Sequence, residues 1–214
     1  MKKSLFPLIF ILLSTTIVHA QTDFGIKGGV NFTNYGYGDQ HAPSEAESIT
    51  SFHLAGYLVT RLAPALYLQP EVSLQNKGAR VIKTDAVDGA AEIIQRTKWL
   101  DIPINVLGKM PIGNNGNVFA GGGPYIGFAM SGENTYTDGS TSAVIIYKDN
   151  DLRSVDYGIN FLAGIKFGFL SLHASYSFGL ANITYDTNNW SKNLKNRALS
   201  LGIGISFASL HQQI

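Results

Sequence analysis

The chain has 214 residues, no cysteine, 16 Lys and Arg against 15 Asp and Glu, and a formal net charge of +1. Those values exclude a disulfide framework and leave no electrostatic footprint for nucleic acid. Charged residues make up 14%, against about 25% in ordinary soluble domains, and Gly, Ser, Thr and Asn fill the difference, as in a sheet with one apolar and one small, polar face.

The first element is an export signal over residues 1–20. Lys2 and Lys3 form a positive n-region, Leu5 to Val18 is apolar and uncharged, and Val18-His19-Ala20 supplies a cleavage site before Gln21. The alternative, a retained anchor helix, needs about 20 apolar residues, more than this run offers. With no cysteine after the site, an N-terminal lipid anchor is excluded. Residues 21–214 then form one domain.

From there the dominant signal is strict alternation, the mark of half-buried strands. Phe24, Ile26, Gly28, Val30 and Phe32 alternate with Gly25, Lys27, Gly29 and Asn31. Phe52 to Leu62 alternates less cleanly with His53, Ala55, Tyr57 and Val59. Leu66, Leu68, Pro70, Val72 and Leu74 oppose Tyr67, Gln69, Glu71, Ser73 and Gln75. Leu100, Ile102, Ile104 and Val106 oppose Asp101, Pro103 and Asn105. Val118 to Met130 is Gly-rich, mixing Phe119 and Tyr125 with Gly121, Gly123 and Gly127. Tyr157 to Phe167 opposes Asp156 to Lys166, Leu170 to Leu180 opposes Ser171 to Gly179, and Leu199 to Phe207 opposes Ser200 to Ser206. Eight strands of about 10 residues result, the length a tilted strand needs to cross a bilayer.

Short connections at Ala63-Pro64, Pro111 to Gly116 and Gly168-Phe169 alternate with long polar ones at Asn34 to Ile49, Gly78 to Ala91, Ser131 to Arg153 and Asn182 to Lys195. This asymmetry, with an even strand count, predicts an all-β fold: a closed up-and-down antiparallel transmembrane β-barrel of about eight strands. A soluble barrel also alternates, but its outer face must meet water with many Lys and Glu residues. Here the second face is Gly, Ser, Asn and Ala, and the Leu/Ile/Phe face has no charge at mid-strand, where Arg or Lys facing lipid would cost about 2–4 kcal/mol. Closure also removes the unpaired edges that hydrocarbon cannot solvate. Tyr67, Trp99, Tyr157, Tyr176 and Tyr185 sit near strand ends and are expected in interfacial girdles.

The same elements carry short motifs in order: Lys27-Gly28-Gly29-Val30-Asn31, Gln69-Pro70-Glu71, Lys77-Gly78, Leu100-Asp101-Ile102-Pro103, Gly122-Gly123-Pro124-Tyr125, and Asp156-Tyr157-Gly158 with Gly164. Tyr176, Gly179 and Leu180-Ala181-Asn182 then precede the final Leu201 to Ile205 strand. Across residues 21–214 this set resembles the small outer-membrane β-barrel family of Bacteroidetes type, labelled porin-family or OmpA/OmpX-like. The resemblance implies the cell outer membrane, reached through the periplasm. Outer-membrane lipid and lipopolysaccharide would surround the barrel, and the barrel insertion machinery would assemble it. One departure is the tail from Phe207 to Ile214, since such chains usually finish on an aromatic residue.

Eight strands enclose an interior that side chains just fill. Phase turns Lys27, Glu71, Asp101, Lys109, Asp156 and Lys166 inward, an expected ion-pair network in which Lys27 bridges Glu71 and Asp101. The first function expected is structural or surface-interacting, with no named ligand. A narrow porin-like channel is the alternative and a barrel hydrolase the second. A hydrolase needs a His beside a nucleophile. His53 and His173 are inward with Ser51, Ser171 and Ser175 near in sequence, whereas His41 and His211 lie outside the strands. No catalytic residue, no metal-ligand spacing and no cofactor is assigned. Gly121-Gly122-Gly123 lacks the Lys-Ser/Thr and the helix of a phosphate loop. The sequons at Asn31, Asn182 and Asn189 are chance matches in a bacterial chain. The Ser131 to Arg153 loop, with Glu133, Asp138, Lys148, Asp149, Asp151 and Arg153, is the expected outer contact surface.

Overall fold

A computed structural model describes residues 22–37, 44–83, 91–136, 140–143, 152–184 and 194–207. The export signal, His41, Asp138, Lys148, Asp149, Asp151, Tyr185, Asn189, His211 and the tail after Phe207 lie outside the described residues.

Ten strands are described: β1 Thr22–Tyr37, β2 Ser44–Glu47, β3 Ile49–Ala63, β4 Leu66–Lys83, β5 Ala91–Ile112, β6 Gly116–Tyr136, β7 Thr141–Ala143, β8 Val155–Phe167, β9 Leu170–Gly179 and β10 Leu194–Ser206. Eight of them close into an antiparallel barrel in the order β1-β3-β4-β5-β6-β8-β9-β10. The seam pairs β1 with β10, from Gly25 opposite Ser206 to Tyr37 opposite Leu194. Every ladder is antiparallel, so each short connection is a hairpin. Pro64 fixes φ at the first, where Ala65 takes φ 63°, and Gly113 and Gly168 supply positive φ at the other two.

The faces divide as the alternation predicts. Phe52, Leu54, Val72, Phe161, Leu172 and Ile203 are among the apolar residues exposed on the outside. Lys27, Asn31, Glu71, Asp101, Asn105 and Asp156 are buried inside. β3, whose faces look indistinct in sequence, separates them cleanly: Phe52, Leu54 and Leu58 point out, and Ser51, His53, Ala55 and Val59 are buried. In β6, a Cβ on Gly121 or Gly123 would collide with the carbonyl oxygens of Val106 and Ile104. Close approach of β5 therefore explains that glycine run.

Two expectations are corrected. Strands run well past 10 residues, β5 to 22 and β6 to 21. Beyond the apolar belt the period of two breaks down, as at Val81-Ile82 and Ile93-Ile94, so hydropathy no longer marks the strand while the backbone ladder continues. At the long-loop end β4, β5 and β6 rise above the belt and gain β2 on β4 and β7 on β6. The result is a five-stranded ledge, β2-β4-β5-β6-β7. Trp99 is not in a girdle. It is fully buried in the lumen, because Leu100 and Ile102 face outward and set its phase. Tyr67 also turns inward, onto Lys109, whereas Tyr157 and Tyr176 are exposed outside.

Candidate functional site

The lumen holds the chain's clustered chemistry, in layers set by strand register. At the short-turn end Lys166, near the end of β8, meets Asp23 of β1 at 2.7 Å. Ser206 donates to Asp23 and accepts from Lys166 at 2.7 Å. Lys109 of β5 lies 4.4 Å over the Tyr67 ring. One layer further in, Lys27 Nζ stands 2.7 Å from Glu71 Oε2. That contact is close in distance but not aligned as a hydrogen bond.

The central layer is neutral. His53 Nδ1 donates to Asn31 Oδ1 at 2.7 Å, and Asn31 donates to Gln75 at 2.8 Å. His173 meets the His53 ring edge-on, centroids 5.8 Å apart, and its Nε2 is buried without a hydrogen-bond partner. Asn160 donates to Asn105 at 3.0 Å and accepts from Ser177 at 2.9 Å. Ser51, the nearest hydroxyl in sequence to His53, donates instead to the Asn76 carbonyl at 2.6 Å. The partner His53 takes is thus an amide, which cannot act as a nucleophile.

Toward the long loops Lys77 of β4 is the hub. Its ammonium lies 2.8 Å from Asp101 and 3.4 Å from Asp156, with all three side chains nearly inaccessible. Tyr125 and Asn196 each donate to Asp156 Oδ2, at 3.0 and 2.9 Å. The Trp99 and Tyr125 rings face the ammonium at 5.2 and 5.0 Å, adding cation–π attraction. Two buried carboxylates are tolerated because one ammonium and two neutral donors share their charge. Above this triad sits an apolar cap containing Trp99, Tyr35, Leu152, Ile183 and Leu194. Its upper segments are tied by Arg153 N to Ile183 O and Ile183 N to Leu194 O.

All six charged residues expected inside line the lumen, but their pairing differs from expectation. Lys27 reaches Glu71 and not Asp101, which Lys77 holds instead. Asp156 joins Asp101 on that same lysine, Lys166 pairs with Asp23, and Lys109 meets an aromatic ring rather than a carboxylate. Lys77 and Asp23 are the residues that sequence reasoning missed. Their signal was present: Lys77 continues the inward phase Glu71, Ser73, Gln75, and Asp23 precedes Gly25 and Lys27 in phase. Ending the strands at the apolar belt hid both. Among the described residues no group of three or more His, Asp or Glu could hold a metal ion.

A family model described as outer membrane protein beta-barrel domain matches residues 19–185. Among solved structures, the chain is similar to the outer membrane protein OprG of Pseudomonas aeruginosa at 14% identity and TM-score 0.49, covering 88% of this chain and 97% of that one. Neisserial surface protein A matches at 13% identity and TM-score 0.46, covering 85% and 96%. Ail of Yersinia pestis matches at 12% identity and TM-score 0.42, covering 86% and 98%. No curated protein matches.

Proposed function

We propose that this chain, which belongs to the outer membrane protein beta-barrel domain family and is a protein of the outer membrane, is a closed, non-catalytic scaffold that presents its long-loop ledge to the cell exterior. One contrast carries the reading. The lumen is crossed by ion pairs and roofed by apolar side chains, while the ledge extends the sheet beyond the membrane belt and carries Gln95, Arg96, Glu133 and Asn134. A conducting pore needs a continuous polar path, and the Lys77 triad under the Trp99 cap interrupts one. Rigid elements presented by a barrel are where contacts with partners form.

The ledge is held by its own polar pairs. Gln95 donates to Asn134 at 3.1 Å and accepts from Tyr35 Oη at 2.7 Å, and Arg80 approaches Glu47 at 3.5 Å. Where the ledge meets the apolar belt, a groove of about 520 Å³ is lined by Phe52, Arg96, Lys98, Ser131 and Glu133. Arg96 and Lys98 are exposed on the outer face, just beyond the apolar belt. They suit the phosphates of lipopolysaccharide in the outer leaflet. At the opposite end Phe207 N donates to Phe24 O and the two rings stack 5.3 Å apart, so Phe207 can serve as the terminal aromatic for the barrel insertion machinery.

Single-channel recording in planar bilayers tests the closed lumen. Wild-type protein is expected to give no conductance steps, and regular steps would replace this reading with the porin-like channel. Copurified lipopolysaccharide per barrel should fall several-fold in an Arg96→Gln/Lys98→Gln double variant. An unchanged ratio removes the lipid contact.

A further inference from the structure

Counting charge through the lumen exposes a mismatch at the short-turn end. Among the described residues four ammonium groups face inward (Lys27, Lys77, Lys109 and Lys166), as do four carboxylates (Asp23, Glu71, Asp101 and Asp156). The totals balance, but the halves do not. Lys77 takes two carboxylates, Lys27 and Lys166 take one each, and Lys109 takes none. The surplus negative charge near the long loops is shared among Lys77, Tyr125 and Asn196. The surplus positive charge at Lys109 has the Tyr67 ring face and the more distant field of Asp23, beyond ion-pair distance and already engaged by Lys166.

Beside the Lys109 ammonium is a small, half-open cavity with about 30 Å³ accessible to the centres of water-sized occupants. Its lining includes Lys27, Lys109, Lys166, Tyr57, Ser171 and His173, against one carboxylate, Asp23. Lys166 and Ser206 already engage that carboxylate. Lys27 is engaged by Glu71, which is not among the lining residues. The Tyr57 and Ser171 hydroxyls are hydrogen-bonded to each other, which leaves one O–H to donate, and the apolar walls Val59, Leu107, Phe119 and Leu162 lower the local dielectric, strengthening attraction to a counter-ion.

We propose that this cavity is a binding site for a chloride-sized monovalent anion, with Lys109 as its principal ligand and Lys166 beside it. The ion neutralises the one lumen lysine that the fold leaves without a carboxylate, and it reaches the site from the side of the short turns.

The test uses the refolded full chain in detergent micelles. Excess ³⁵Cl line broadening is expected on adding protein, reversed by bromide. The midpoint of heat-induced unfolding should stand about 3 °C higher in sodium chloride than in sodium gluconate at equal ionic strength. Lys109→Met should abolish both effects, Lys109→Arg should keep them, and the outward Arg197→Gln should leave them unchanged. A wild-type barrel that gives no excess chloride broadening overturns the proposal whatever the variants do. So does a Lys109→Met barrel that keeps the chloride dependence. Neither result depends on whether the barrel conducts.

Discussion

Toward the long loops the lumen carries two carboxylates for one ammonium and is roofed by Trp99, Leu152 and Ile183. Toward the short turns, lysines outnumber carboxylates around a small cavity, and Lys109 lies over the Tyr67 ring. The same strands build both ends, so the difference lies in which inward positions carry charge and in how the chain continues past the last belt residue. At the outer end Leu152, Ile183 and Leu194 pack with Trp99 in a buried apolar cluster, and low exposure makes each ion pair there both stronger and more costly to break. At the inner end the described connections are tight hairpins.

That contrast ranks the expected effects of substitution. Lys77→Met should be the most damaging, by about 3–5 kcal/mol, because it strands two adjacent buried carboxylates. The heat-induced shift on unboiled gels would show it, and adding Asp101→Asn and Asp156→Asn should recover most of the loss. If Lys77→Met and Lys27→Met cost the same, the two ends do not differ as described. Trp99→Ala should cost about 3 kcal/mol through the cavity it opens in the cap. It is also the variant in which brief conductance steps are expected; a fully silent Trp99→Ala barrel would locate the whole barrier at the triad. A double-mutant cycle on Lys27 and Glu71 should return a coupling of about 1–3 kcal/mol, below the Lys77 effect because a single carboxylate is left behind. Smallest is Arg80→Ala on the ledge, under about 0.5 kcal/mol by urea unfolding, since the Arg80 and Glu47 side chains are 41% and 55% exposed. A larger loss there would mean that the ledge stabilises the barrel rather than only extending from it.

Much of the barrel is legible in the amino-acid sequence. Period-two alternation assigns Leu201 and Ile203 outward and Ser200 inward, and the hairpin sites at Pro64, Gly113 and Gly168 follow from turn chemistry. Trp99 shows where two cues conflict: its nearness to a strand end suggests a girdle, while its phase against Leu100 and Ile102 assigns it to the lumen, and phase prevails. The strand extensions are hidden because hydropathy reports the lipid contact and not the ladder. Residues such as Gln95, Arg96 and Asn134 pair their backbones as regularly as Val106 does.

By itself the sequence determined which side of each strand meets lipid, because a period of two admits only two choices and hydrocarbon rejects one of them. It also determined that the charges of Lys27, Glu71, Asp101, Lys109, Asp156 and Lys166 point inward. Tertiary structure alone decided who pairs with whom. Partners such as Lys77 and Asp156, 79 residues apart, meet only because barrel closure and strand stagger bring β4 and β8 to one depth. Alternation along a single strand carries the facing of a side chain and nothing about its height against a strand across the lumen.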